Sequence, residues 1–238
     1  MNDLSKQSIL VTGASSGIGA ALCERLLKEG ATVLGLCRKI GKIPSGVIPI
    51  SCDLTQPERI PHAFNIAREA TPSIHGVINN AGIALLARVS DGDPAQFAEM
   101  WSVNVHGLAI VCQEALKIFP ETGGRIVNVS SMSGHRVPPT GGFYAPTKFA
   151  VKALTESLRC ELAADNSPHQ VATVSPGFVD TPLLDHYFKG REDSLAELRA
   201  GSTMLKPEDI AEAILSILKA PTGVNIGDIQ LRPAGQKA

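Results

Sequence analysis

Aromatic side chains are scarce in this chain: they make up 4% of 238 residues, with one tryptophan and two tyrosines. A core built without them must be aliphatic, which suits the buried strands of a parallel sheet. No apolar run approaches the roughly 20 residues that a membrane-crossing helix needs. The polar stretch Met1 to Gln7, followed by an apolar run broken at Thr12 and Gly13, offers no signal-peptide core. A cytoplasmic address without a membrane partner is therefore expected. An excess of one charge is also missing: 22 Lys and Arg stand against 23 Asp and Glu. With no basic stripe, nucleic acid is a poor partner. The five cysteines (Cys23, Cys37, Cys52, Cys112, Cys160) show no CxxC pair, and the six histidines no HExxH or clustered spacing. Neither a disulfide framework nor a metal site is expected. All five cysteines lie in apolar segments and read as buried free thiols of a reducing compartment.

What is present is an alternation of short aliphatic runs with helical periods. Strands are expected at Ser8 to Val11, Thr32 to Leu36, Val47 to Ser51, His75 to Ile78, Arg125 to Ser130, Val171 to Val174 and Asp228 to Leu231. Helices are expected at Ile18 to Glu29, Pro57 to Ala70, Pro94 to Phe119 (as one extended helix), Tyr144 to Ala164, and a last one opened by Pro207. Crossover helices between strands force a parallel sheet with helices on both faces. The expectation is an α/β chain in which residues 1–238 form a single doubly wound (Rossmann) domain of about seven strands. Residues from about 182 to 205 break the rhythm, and a long excursion of this kind suggests a substrate lid with short helices, or else a solvated surface loop.

Between the first strand and first helix lies Thr12-Gly-Ala-Ser-Ser-Gly-Ile-Gly19. Gly13 permits a sharp turn, Gly17 a close approach of a pyrophosphate, and Gly19 tight helix packing. The helix N-terminus behind the loop offers unpaired N–H groups to an anion. Gly13, Ser15, Ser16, Gly17, Ile18 and Gly19 are thus candidate dinucleotide contacts. The second strand ends Leu36-Cys37-Arg38-Lys39, without the carboxylate that would hold a ribose 2′-hydroxyl. Arg38 is suited instead to grip a 2′-phosphate, so NADP is the expected cofactor; otherwise Arg38 and Lys39 are a solvated pair. Asp53, beside Leu54, is placed to accept from an adenine amino group or to cap a helix near Thr55. Asn80, Ala81 and Gly82 close the fourth strand with small residues that let the loop run against the cofactor, and Asn79 either joins them or knits neighbouring strands.

Tyr144 and Lys148 stand four residues apart at a helix start and share a face. A phenol of pKa about 10 is a sluggish proton carrier near neutrality, and a neighbouring ammonium lowers that value. Thirteen residues before Tyr144, a buried strand ends in Ser130 and Ser131. Ser131 is placed to donate to a carbonyl oxygen as it gains charge, with Ser130 as the alternative and turn bonding as the bland reading of either.

These motifs, with Ser175-Pro-Gly177, closely resemble the short-chain dehydrogenase/reductase family over nearly the whole chain, from Ile9 to Pro233, in the family's order and spacing. The resemblance implies that Tyr144 is the catalytic acid/base, Lys148 its activator and ribose ligand, Ser131 the oxygen-orienting donor, and Asn104 the holder of a relay water. It assigns Pro176, Gly177, Val179 and Thr181 to the nicotinamide amide and phosphate. Arg38 is similar to the NADP-preferring branch, although Ser15 and Ser16 stand where that branch often has a second base. It also implies a homo-oligomer, a dimer or tetramer, built through long helices.

The function expected is NADP-dependent hydride transfer on a small carbonyl/alcohol substrate; the alternative is a non-catalytic NADP(H)-sensing protein. Enoyl reduction fits less well, because related enoyl reductases space Tyr and Lys more widely. Phe143, Val137, Phe178, Leu183 and Leu184 are expected to line an apolar substrate pocket, His135 lines its mouth or sits in a surface loop, and Trp101 packs. The segments Leu205 to Asp209 and Val224 to Pro233 are similar to those of bacterial hydroxy-acid and small-alcohol dehydrogenases, which suggests a small polar substrate.

Overall fold

The computed structural model describes residues 3–139, 141–201 and 203–236. Seven strands form one parallel sheet: β1 (Ser8–Thr12), β2 (Thr32–Cys37), β3 (Ile48–Ser51), β4 (Gly76–Asn79), β5 (Arg125–Val129), β6 (Gln170–Pro176) and β7 (Asp228–Leu231), in the order β3-β2-β1-β4-β5-β6-β7. The helices are α1 (Gly17–Lys28), α2 (Ile60–Ala70), α3 (Pro94–Trp101), α4 (Leu108–Ile118), α5 (Tyr144–Ala164), α6 (Pro182–Tyr187), α7 (Glu192–Gly201) and α8 (Pro207–Leu218).

Alternate residues of each buried strand feed two cores. Ile9, Val11, Val33 and Val174 pack against Leu22 and Leu26 of α1 and Ile210, Ile214 and Ile217 of α8. Leu10, Leu34, Ile50 and Val77 pack against Phe64 of α2, Val111 of α4 and Val151 of α5. With strands covered on both faces, the aliphatic composition follows: the branched side chains fill the space between sheet and helices. The chain is a single Rossmann-like domain. Strand order reverses between β1 and β4, which pair directly through Leu10 and Val77. At such a switch point the loops leaving the two strands diverge and open a crevice at their carboxyl ends.

Two expectations need correction. The stretch from Pro94 to Phe119 is not one regular helix: a π-helical turn, Ser102–Gly107, separates α3 from α4. Its cause lies elsewhere in the chain. The Asn104 side chain accepts the Ile83 N–H at 2.9 Å and donates to the Ile83 carbonyl at 2.8 Å, drawing the helix backbone toward that loop. Cys160 is exposed; the other four cysteines are buried. It sits on the outer face of α5, where its Sγ reaches Glu156. The excursion after β6 holds two helices, α6 and α7, and its base is closed: Leu205 N–H donates to the Phe178 carbonyl at 3.0 Å, and Asp180 N–H to the Leu205 carbonyl at 2.9 Å. Arg199 of α7 ties it to Asp180 and Asp185.

Two histidines hold strand ends together in their neutral form. Nδ1 of His75 accepts the Ser8 N–H at 3.1 Å, and Nδ1 of His169 accepts the Gly124 N–H at 3.1 Å. Partial burial moves both below the usual imidazole range. The unfolded chain therefore takes up these protons first, below about pH 6.5. Their contribution to stability is complete above that pH and is lost as pH falls through the lowered folded values. Urea unfolding is expected to show a midpoint that drops between pH 7.5 and pH 5.5, with a weaker drop in a His75→Gln/His169→Gln variant. An unchanged wild-type midpoint would contradict this.

Candidate active site

The crevice at the β1/β4 switch point widens into a cleft of about 800 Å³. One wall is the turn from β1 into α1. Gly13 and Gly17 have φ of +69° and +53°, a region that a side chain strains. A Cβ at Gly13 would lie 2.9 Å from the Ala81 Cα, and one at Gly19 would strike the Gly13 carbonyl oxygen. Ser16, at the N-cap of α1, makes no side-chain capping bond, so the first-turn N–H groups face the cleft without a cap from that residue. The turn is locked to the loop after β4. Thr12 Oγ1 accepts the N–H groups of Asn80 and Ala81, each at 3.0 Å, and Asn80 Nδ2 donates to the Thr12 carbonyl at 3.0 Å.

Gly13, Ser15, Ser16, Gly17 and Ile18 line this cleft, as do Asp53, Leu54, Asn80, Ala81 and Gly82. Arg38 and Lys39, both exposed, border it beyond β2, together with Lys42. Pro176, Gly177, Val179 and Thr181 line the opposite end. The cradle fits a dinucleotide: glycines where a Cβ would intrude, an uncapped helix start, and cations past the second strand. Gly19 is the exception among the expected contacts, since it packs behind the turn and leaves the surface to its neighbours.

At the centre stand the groups that can move protons. Ser131 ends the strand run at the start of a short 3-10 turn (Met132–Gly134), where its Oγ accepts the Ser133 N–H at 3.0 Å. Tyr144 opens α5, and its phenol hydrogen-bonds with Ser131. One turn along, the buried Lys148 Nζ donates to the Val129 carbonyl at 2.9 Å and lies 5.7 Å from the centroid of the Tyr144 ring. Burial pushes the Lys148 ammonium down to about 8. Burial also raises the Tyr144 phenol above the ordinary tyrosine value; the Ser131 hydrogen bond opposes this and Tyr187 adds to it. The lowering expected from a neighbouring ammonium is thus overturned in the protein alone. The loss of water around the phenol outweighs every favourable contact it makes, and the same loss weakens the neighbouring charge.

Asn104 is buried behind Gly82 and does not line the cleft. Besides its two bonds to Ile83, its Nδ2 donates to Thr147 Oγ1 at 3.1 Å, and Thr147 Oγ1 donates to the Tyr144 carbonyl at 2.7 Å. Both amide protons are therefore used by the chain itself. A Cβ at Gly82 would sit 3.3 Å from Asn104 Oδ1 and 3.7 Å from Lys148 Nζ, so this glycine lets the amide and the ammonium come close.

Other expectations are sorted by the geometry. Asp53 Oδ1 accepts both the Thr55 N–H and the Thr55 hydroxyl in a local turn while facing the cleft, and it caps no helix, since the turn opened by Pro57 has Gln56 as its N-cap. Asn79 knits strands, donating to Asn128 Oδ1 at 2.9 Å. Phe178, Leu183 and Leu184 line the mouth, whereas Phe143 stacks on Phe97 with centroids 4.5 Å apart and Val137 is exposed away from it. His135 is absent from the lining and bonds to Ser175 and Lys152. Sequence reasoning missed Tyr187, whose ring stands edge-on to Tyr144 at 6.0 Å, and Gln236, whose Oε1 accepts the Phe178 N–H at 3.2 Å. Tyr187 carried a usable signal, being the chain's second tyrosine and lying next to Leu184 on one short helix. Gln236 carried none.

A family model for short chain dehydrogenases matches residues 7–192. Dehydrogenase/reductase SDR family member 11 of Bos taurus is 39% identical over 95% of this chain and 96% of its own length. A farnesol dehydrogenase of Aedes aegypti is 33% identical over 96% of each chain. Among solved structures, the closed form of a serine dehydrogenase complexed with NADP+ matches with a TM-score of 0.86 at 26% identity, covering 98% of this chain and 97% of that one. Likeness of sequence and backbone over almost the full length leaves one conclusion: the chain belongs to the short-chain dehydrogenase/reductase family and is an oxidoreductase acting on CH–OH groups.

Proposed function

We propose that this protein transfers hydride between NADP(H) and a small carbonyl/alcohol substrate, with Tyr144 as the acid/base. The observation that carries the reading is the meeting of Ser131, Tyr144 and Lys148 on one cleft wall, with the Ser131 hydroxyl already bonded to the phenol. The nicotinamide supplies or receives the hydride when bound. In reduction, Ser131 and Tyr144 together bind the carbonyl oxygen, and the phenol delivers its proton as that oxygen gains charge. A burial-raised phenol is protonated at neutral pH, as an acid must be. Lys148 is still mostly a cation near neutrality and loses that charge above about 8. It stabilises the phenolate that proton delivery leaves behind. Asn104 positions rather than reacts, since it reaches the site through Ile83 and Thr147. A non-catalytic sensor of NADP(H) has no use for this convergence.

NADP in preference to NAD is supported by Arg38, Lys39 and Lys42 at the end of the cleft; the serine dehydrogenase neighbour was solved with NADP+. Residues 182–205 serve as the lid: α6 brings Leu183, Leu184 and Tyr187 to the mouth, beside Phe178 and Phe188. This wall is aromatic and aliphatic, and it fits a hydrocarbon substituent better than the small polar substrate that the chain's ending suggests. Half-exposed Trp101 (45%) and Phe149 (41%) on the outer helices support a homo-oligomer, and a cytoplasmic address remains part of the proposal.

Tyr144→Phe removes the transferable proton and leaves the cradle intact. It is expected to reduce turnover by roughly a hundredfold to ten-thousandfold with little change in NADPH affinity, read from loss of NADPH absorbance and from cofactor fluorescence. Near-normal turnover would refute the acid/base role. Arg38→Asp deletes charge-assisted bonds worth about 1.5–3 kcal/mol and adds a ribose acceptor. The KM for NADPH is expected to rise roughly tenfold to a hundredfold and the preference to move toward NADH. An unchanged cofactor ratio would count against the NADP assignment.

A further inference from the structure

Beneath the turn that carries Ser131 lies a polar cluster that the reaction itself does not use. His135 follows the 3-10 turn, and its N–H closes that turn on the Met132 carbonyl at 3.0 Å. The imidazole is held on both sides. Nδ1 lies 2.8 Å from the Lys152 Nζ of α5; Nε2 lies 3.0 Å from the Ser175 Oγ of β6 and 3.1 Å from the Asp228 Oδ2 of β7. Ser175 Oγ donates in turn to Asp228 Oδ1 at 2.9 Å, and Lys152 Nζ lies 3.7 Å from Asp228 Oδ2.

The donors and acceptors fix one protonation state. Lys152 has only hydrogens to offer, so Nδ1 must accept. Asp228 and Ser175 leave Nε2 to carry the hydrogen and donate it to the carboxylate. A second proton on Nδ1 would set two cationic donors against each other across 2.8 Å, and the contact would open.

The elements joined here are those that assemble the site. The turn carries Ser131; α5 carries Lys152 one turn beyond Lys148; Ser175 precedes Pro176 and Gly177 at the cofactor end of β6. The backbone of the turn is also held against α5 at both ends: Ser130 Oγ donates to the Lys148 carbonyl at 3.1 Å, and Gly134 packs so close that a Cβ would lie 2.7 Å from the same oxygen. The His135 side chain adds a tie just beyond the turn that reaches β6 and β7 as well as α5.

We propose that neutral His135 is a positioning residue: clamped between Lys152 and Asp228, it holds the Ser131 turn in register with α5 and β6, and its protonation releases that turn. This rests on the proposed roles of Ser131, Tyr144 and Lys148. The groups facing the imidazole are Lys152 from α5, Ser175 from β6, Asp228 from β7 and Arg232 just beyond it. Desolvation, then Lys152, lowers His135 below the usual imidazole range, Asp228 acts in the opposite sense, and Arg232 adds slightly to the lowering. The site is therefore intact at neutral pH and comes apart only on the acid side.

The test is the pH profile of kcat for reduction in four variants beside the wild type. His135→Ala is expected to lose up to about a hundredfold in kcat, the scale of a small misplacement of a reacting group, with KM for NADPH nearly unchanged. His135→Gln offers a neutral amide that can donate to Asp228 and cannot take up a proton, and is expected to restore most of kcat and to erase the acid limb. Lys152→Met removes the opposing charge, and the acid limb is expected to move to higher pH. Unchanged kcat in His135→Ala, or an acid limb unmoved in both His135→Gln and Lys152→Met, would overturn the proposal. Should His135→Ala fail to fold, the other two profiles decide it. Tyr144→Phe separates the two levels: if it is inactive while the His135 variants behave as wild type, the positioning role alone fails, whereas an active Tyr144→Phe removes the reading on which it rests.

Discussion

Burying a phenol and an ammonium in one pocket sets the terms on which this site works. Loss of water penalises the charged form of each, so Tyr144 is driven toward the neutral phenol and Lys148 toward the neutral amine, down to about 8. Burial thus opposes ionisation of the phenol and leaves Lys148 a cation only below about 8. In the proposed reaction Lys148 steadies the phenolate as it forms, and an oxidised nicotinamide in the cleft beside the pair would add positive charge to it. Until then the protein stores a protonated acid, the state that carbonyl reduction consumes.

The rest of the fold serves to keep that pair in place. Strand reversal between β1 and β4 opens the cleft, and Thr12 with Asn80 locks its two lips together. Behind the lips, Asn104 links Ile83 to Thr147 and so to the first turn of α5. The π-helical turn is the local cost of that link, and it fits the tendency of such turns to occur near functional sites. On the far side, Ser130 and His135 fasten the serine turn to α5 at Lys148 and Lys152. In the proposed reaction the reacting side chains are few, and a wider set of polar residues holds the elements that carry them.

Much of this was legible in the residue order. The limits of α5 and β7, the glycine turn, and the positions of Ser131, Tyr144 and Lys148 all follow from period, turn chemistry and spacing, because each is set by residues close in the chain. What the residue order hid depends on distant partners or on burial. The π-helical turn is made by Ile83, 21 residues before Asn104. The cage of His135 draws on Ser175, 40 residues on, and on Asp228. Cys160 occupies a helical position like that of a core residue, yet α5 turns that face outward. The direction of the Tyr144 shift was missed for a related reason: a neighbouring lysine can be read from spacing, whereas the depth at which both groups lie cannot.

The chain has only two tyrosines, so Tyr187→Phe leaves Tyr144 as the single phenol, open to titration by ultraviolet difference absorbance. The free protein should ionise this group above the ordinary tyrosine range, and saturating NADP+ should bring the transition to lower pH, with the drop reduced in Tyr187→Phe/Lys148→Met. A phenol that ionises at the same pH with and without NADP+ would contradict the claim that added positive charge offsets burial.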